Sequence, residues 1–147
     1  MRTAQLFCIV FRKKREDYEY LLLRRIPSKG GFWQPVSGGF EESDPSKLEA
    51  AYRELKEETG IDKKQVVRVL EEVHQYTYDK HYLTGKPTPP ITEYVYGFEV
   101  GLNVGVRIDR NIYPEHDEYR WVSFEEALNL LKWEENKEAF RKLKDKL

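Results

Sequence analysis

The chain has 147 residues, 39% of them hydrophobic, enough to bury one core but not two independent ones. Its 25 basic and 26 acidic residues leave a net charge of −1, which excludes a general nucleic-acid binder that works by neutralising phosphates. No apolar run approaches the length needed to span a bilayer, and the Met-Arg-Thr start leads into a strand-like segment without a signal-peptide pattern, so a cytoplasmic protein with no membrane partner is expected.

In chain order, residues 6–11 and 18–23 are short apolar runs that read as strands, with the charged segment 12–17 as their turn. Cys8, the only cysteine, lies inside the first run and reads as a small buried hydrophobe. Residues 27–31 form a loop, and 32–37 lead as an extended segment into a Gly38-Gly39 turn. A helix then runs from about Pro45 to Glu58, with Asp44 as N-cap and Pro45 at the first helical position, where its missing N–H costs nothing. Leu48, Ala51 and Leu55 form its core-facing stripe, leaving Glu54, Glu57 and Glu58 on the other flank. Residues 66–78 and 91–100 have strand character and are expected to pair. Between them, residues 79–90 are rich in Lys, Gly and Pro and read as a loop of the kind that often faces substrate. Residues 119–122 make a short strand, Ser123 caps a helix with Glu126 at its N3 position, and residues 133–147 form a terminal helix. The order is that of a single α/β (α+β) domain over residues 1–147, and it specifies no oligomeric state.

The end of the first helix carries the chemistry. Glu54 precedes Glu57 and Glu58 by three and four residues, so it faces both, and each like-charge pair costs roughly 0.2–0.5 kcal/mol. The triplet also meets the negative end of the helix dipole, at roughly 0.3–1 kcal/mol per exposed carboxylate. A solvated acidic face can tolerate such costs, and Arg53 offsets part of them by pairing with Glu57. Three hard oxygen ligands at the end of a capped helix, after a Gly-Gly turn, are however what Mg²⁺ prefers.

From Gly38 to Ile61 the sequence GGFEESDPSKLEAAYRELKEETGI resembles the Nudix box. Eight of its nine fixed positions are supplied, by Gly39, Arg53, Glu54, Leu55, Glu57, Glu58, Gly60 and Ile61. The ninth, an upstream Glu, is replaced by Pro45, so its role is absent or falls to Glu41 or Glu42. Outside the box, Phe32-Trp33-Gln34, Glu115-His116 with Tyr119-Arg120-Trp121, and Asn136 to Phe140 resemble the dATP pyrophosphohydrolases, a branch that includes dihydroneopterin triphosphate pyrophosphatase. Diadenosine tetraphosphate hydrolases share a similar Tyr-Arg-Trp segment. The resemblance implies a Nudix fold, a mixed β-sheet sandwiched between α-helices, and a Mg²⁺-dependent hydrolase, with Mn²⁺ as the alternative ion.

The site residues follow from the same resemblance. Glu54 and Glu58 are the expected metal ligands, Glu57 joins them or binds a second ion, and Arg53 orients the acids. Glu115 is expected to reach the metal or position the water. His116 is the competing general base, since imidazoles titrate near neutrality, but it ranks below Glu115. His74 and His81 lack metal-ligand spacing and receive no role. Arg24 and Arg25 end the second strand, alternation puts one of them on the site face, and Arg24 is chosen as the phosphate fork. Ser37 is a candidate hydrogen-bond donor to substrate, Phe32 and Trp33 are candidate stacking residues or core, and Tyr76, Tyr78 and Tyr82 stay unassigned. The expected activity is cleavage of a small nucleoside-triphosphate-like substrate to monophosphate and pyrophosphate. Dinucleoside polyphosphate hydrolysis is the alternative, and a non-catalytic nucleotide sensor is a third reading, supported by Pro45 alone.

Overall fold

The computed structural model describes residues 3–109 and 113–147. Strands β1 (Ala4–Lys14) and β2 (Asp17–Arg25) run past their apolar centres because charged pairs continue the ladder: Arg12 Nε donates to Glu19 Oε1 at 2.9 Å across the hairpin. After a 3-10 turn at Pro27–Lys29 come β3 (Trp33–Gln34) and β4 (Val36–Gly39). The expected Gly38-Gly39 turn is therefore a strand end, with Gly38 paired to Leu6 and Gly39 to Gln5 of β1.

Helix α1 (Lys47–Thr59) begins two residues later than the sequence suggests. Ser46, not Asp44, is its N-cap, with the hydroxyl accepting from the Glu49 N–H at 3.1 Å. Gly60 closes the helix in a left-handed conformation, φ 74°, which a side chain would strain.

Strands β5 (Val66–Lys80) and β6 (Pro87–Val100) form a long antiparallel hairpin. Half of the expected 79–90 loop is thus strand, with Lys80 opposite Pro87 and a turn over residues 81–86 between them. Prolines are tolerated there because β6 joins β1 only from Thr92 onward, so the Pro87 end has no second neighbour to supply with an N–H. Strand β7 (His116–Val122), α2 (Phe124–Leu130) and α3 (Glu134–Asp145) complete the chain, and Ser123 and Glu126 form the anticipated capping box.

The mixed sheet has the order β3-β2-β1-β6-β5, with β4 also on β1 and β7 also on β2; β1 and β6 run parallel, and the other pairs are antiparallel. Alternation along β1 and β2 sends Leu6, Cys8, Val10, Leu21 and Leu23 to one face, where Ala50, Ala51 and Leu55 of α1 cover them. Phe7, Ile9, Phe11, Tyr20 and Leu22 point to the other face and meet Ala127, Ala139, Phe140 and Leu143 of α2 and α3. The sheet is thereby sandwiched between helices, as the resemblance implies. No helix among the described residues is long and apolar enough to cross a membrane.

Candidate active site

The three box carboxylates are not equivalent. Alongside Ala50, Ala51 and Leu55, α1 buries Glu54 and Glu58, 7% and 5% exposed, whereas the Glu57 side chain is 46% exposed. Leu48, expected in the core stripe, is only partly buried. Room for Glu54 comes from β4: a Cβ at Gly38 would collide with the Glu54 carboxylate. The glycine is required by this close approach of helix and strand.

Arg53 ties the wall together. Its Nε and Nη2 grip both oxygens of Asp44 at 2.8 and 2.9 Å, Nη2 also donates to the Gly39 carbonyl at 2.9 Å, and Nη1 reaches Glu54 Oε1 at 2.9 Å and Glu57 Oε2 at 3.3 Å. Glu41 pairs with Arg53 only at 3.9 Å, so the acid near Pro45 that grips the helix most closely is Asp44. Burial pushes the Glu54 carboxyl up to about 7; Arg53 opposes the rise, while Glu57 and Glu58 add to it. The hydrogen bonds that the guanidinium donates to Asp44 push the Arg53 pKa up, so it stays charged.

Glu58 is held from the opposite side. Gln34 Nε2 lies 3.0 Å from His116 Nε2, and His116 Nδ1 lies 3.0 Å from Glu58 Oε2. An amide nitrogen donates, so Nε2 of the imidazole accepts and Nδ1 carries the proton that goes to Glu58. His116 is buried in this relay and does not face solvent as a base would. Replacing His116 by Ala is expected to weaken Mg²⁺ binding about 10–100-fold, the usual cost of losing a group that orients a ligand. Calorimetric titration checks this, and unchanged affinity would detach His116 from the site.

Two cavities of about 550 and 540 Å³ adjoin along this wall and share Gln5, Arg25, Ser37, Tyr78, Lys80 and Tyr82. The smaller is the acidic chamber, lined by Glu54, Glu57, Glu58 and Glu115 together with Lys29 and Lys80. The larger is aromatic, with Phe32, Tyr76, Tyr82 and Trp133 in its walls and Glu93 among them. Phe32 meets Trp133 edge to face, centroids 4.5 Å apart. Trp33 belongs to the core instead.

The remaining candidates fall on both sides of expectation. Ser37 lines both chambers from β4. Glu115 lines the acidic one but is engaged by cations, with Oε2 3.1 Å from Arg25 Nη1 and Oε1 3.5 Å from Lys29 Nζ. Arg24 lines neither cavity: its Nε donates to Asp117 at 2.8 Å on the outer surface. Arg25 takes the central position, with Nη2 3.0 Å from the Tyr82 hydroxyl and a buried Nε that has no hydrogen-bond partner among the described residues. By sequence, Arg25 enters only as the alternative to Arg24 and Gln34 only within the Phe32-Trp33-Gln34 segment, and Glu93 is not singled out. Glu93 did leave a trace there, as the one acid at the start of the apolar run 93–98.

Among the described residues no three His, Cys, Asp or Glu side chains already stand in a ligating array. The donor set nevertheless suits Mg²⁺: all oxygens, two of them buried, in a cradle that a Cβ at Gly38 would fill. An ion that keeps waters and takes substrate oxygens needs few protein ligands, and an open wall provides them.

The family model described as a NUDIX domain matches residues 1–143. An octanoyltransferase of Myxococcus xanthus is 32% identical over 97% of this chain, although the chain spans only 36% of that protein. The asymmetrical bis(5'-nucleosyl)-tetraphosphatase of Mus musculus is 30% identical over 88% of this chain and 84% of its own length. Among solved structures, a C. elegans Ap4A hydrolase superposes with a TM-score of 0.79 at 23% identity, covering 97% of this chain and 96% of that one. The E. coli dihydroneopterin triphosphate pyrophosphohydrolase does so with a TM-score of 0.72 at 22% identity, covering 94% and 92%. At such identities the two structures speak for the fold. With the model matched across nearly the whole length and the glutamate wall in place, the chain belongs to the NUDIX family.

Proposed function

We propose that this chain is a Mg²⁺-dependent pyrophosphohydrolase that cleaves a nucleoside-triphosphate-like substrate, of the dATP or dihydroneopterin triphosphate type, between the α and β phosphates. The observation that carries this reading is the two-chambered cleft, acidic and cationic at one end, aromatic at the other. A triphosphate joined to a flat ring has the same polarity from end to end.

Glu54, Glu57 and Glu58 would hold Mg²⁺, or Mn²⁺ in its place, which when bound supplies Lewis-acid neutralisation of the phosphate oxygens. Arg53 fixes Glu54 and Glu57 from one side, and His116 fixes Glu58 from the other. Arg25, at the junction, replaces Arg24 as the guanidinium for phosphate, with the Ser37 hydroxyl beside it. In the reaction a water oxygen bonds to phosphorus, the bridging P–O bond breaks, and the water's proton passes to a carboxylate. Substrate phosphates compete with Glu115 for Arg25 and Lys29, which frees that carboxylate to position the water.

The likeness to the mouse tetraphosphatase favours a second reading, hydrolysis of a dinucleoside polyphosphate. A panel of nucleoside triphosphates, dihydroneopterin triphosphate, nucleotide sugars and diadenosine tetraphosphate, incubated with Mg²⁺ and resolved by chromatography, separates the two. Monophosphate plus pyrophosphate is expected from a triphosphate. ATP from diadenosine tetraphosphate would favour the second reading, and no turnover of any member would discard both.

A further inference from the structure

Three acids that the reaction does not use line the aromatic chamber; Glu134 and Glu135 are exposed and engaged by Arg141 and His74, and Glu93 alone is buried. Glu93 lies in β6 between Gln5 of β1 and Tyr76 of β5, and it is 6% exposed. Such burial is costly unless the carboxyl is well partnered. Among the described residues its hydrogen-bond partner is the Tyr76 hydroxyl, 3.2 Å from Oε2, and no ion pair reaches it. The same hydroxyl lies 3.0 Å from Asn136 Oδ1, so one proton serves two acceptors. Other polar groups of the chamber are engaged within the protein: Gln34 by His116, and Thr77 by Thr92 at 2.9 Å. The chamber thus presents a surplus of acceptor capacity, concentrated at Glu93, between walls of Phe32, Tyr82 and Trp133 that suit a flat ring. Burial pushes the Glu93 carboxyl up to about 7, with Tyr76 opposing the rise, as expected of an acid short of donors.

Resting on the cleft reading above, we propose that Glu93 selects a 2-amino-4-oxopyrimidine ring, as found in guanine and in pterins, by accepting its adjacent ring N–H and amino N–H donors. Two parallel donors on one edge match the two oxygens of one carboxylate. Adenine sets its amino group beside a ring nitrogen that is an acceptor, and that lone pair would face a carboxylate oxygen. Hypoxanthine keeps the ring N–H and lacks the amino group. Tyr76 is a positioning residue that fixes the rotation of the carboxyl.

Calorimetric binding at pH 8 of GMP, IMP, AMP, guanosine and neopterin to the wild-type protein, to Glu93→Gln and to Tyr76→Phe tests this without any hydrolysis. Wild type is expected to bind GMP about tenfold or more tighter than IMP or AMP, the worth of hydrogen bonds to a charged group. Glu93→Gln, with one donor and one acceptor in place of two acceptors, should bring the GMP preference to within about twofold. Tyr76→Phe should reduce it about threefold or more, and decides the question if the glutamine variant does not fold. Neopterin binding tighter than guanosine assigns the ring to a pterin, and the reverse order to a guanine nucleotide. Equal binding of the three purine monophosphates, or a GMP preference unchanged in both variants, overturns the proposal whatever the activity. A GMP preference lost on Glu93→Gln but accompanied by no triphosphate turnover would sink the reaction proposed above and leave the ring selection standing.

Discussion

Replacing Glu54 by Gln is expected to stabilise the metal-free protein and at the same time remove its turnover. The Glu54 carboxyl titrates at about 7 in the fold, against 4.5 as its ordinary value, chiefly because it is buried. A carboxyl with its pKa raised on folding holds its proton more tightly when folded. Its penalty is therefore absent below about pH 4.5, grows as pH rises, and is fully present above about pH 7. The shift corresponds to a cost on the order of 3 kcal/mol at pH 8. Glu93 is raised to about 7 by its own burial, so the acid-to-neutral loss of stability has two sources, and the Glu54 variant removes one of them. Urea unfolding in chelator is expected to show wild type losing stability between pH 5 and pH 8, and Glu54→Gln losing about half as much, with a gain of about 1–3 kcal/mol at pH 8. Mg²⁺-dependent turnover should fall about a hundredfold or more, since several kcal/mol of charge neutralisation go with the ligand. A variant less stable than wild type at pH 8 would show that Glu54 is a structural acid satisfied by Arg53 and not a strained metal ligand.

Arg53→Ala is expected to produce the largest loss of stability of any single change at this wall. The guanidinium is 24% exposed and serves Asp44, Glu54, Glu57 and the Gly39 carbonyl together, while the Asp44 and Glu54 side chains are only 6% and 9% exposed. Removing it takes this donor from Glu54 and the Gly39 carbonyl and leaves Asp44 only the Glu41 N–H among the described residues. The cost is put at roughly 2–4 kcal/mol, somewhat below that of breaking a fully buried pair because water reaches part of the site. Arg53→Lys should recover less than half of it, because an ammonium cannot grip both Asp44 oxygens and reach Gly39 at once. Denaturant midpoints at neutral pH measure both variants. Full rescue by Lys would mean that net charge, and not the geometry of the fork, is what this position supplies.

What the sequence made legible was whatever is written in local spacing. The three glutamates at helical intervals, the Ser123 cap with Glu126, and the continuous apolar runs at the centres of β1 and β2 all appear in the structure as read. Local chemistry misled where two residues could do one job: Asp44-Pro45 has the composition of a helix start, yet Ser46 caps α1 while Asp44 is drawn to Arg53 nine residues on. The choice of Arg24 failed for a different reason. Alternation offers two faces, and only the docking of α1 over Leu21 and Leu23 shows which face bears the site; one more step from Leu23 leads to Arg25. The pairing of β2 with β7 also shifts register between the two arginines, so strand periodicity is least dependable there. His116, 58 residues from Glu58 and 82 from Gln34, could not be assigned from neighbours in the chain.

The glutamate wall and the hairpin that both chambers share hang from different parts of the sheet. α1 packs chiefly on β1 and β4, whereas Tyr76, Tyr78 and Lys80 come from the far end of the β5–β6 hairpin, with Tyr82 in its turn. Exchanges in that hairpin can reshape what the cleft admits while the glutamate wall stays as it is. A lineage built this way can change its diet in small steps, each ancestor still an active hydrolase, and sequence drift should run faster along the hairpin tip than along α1.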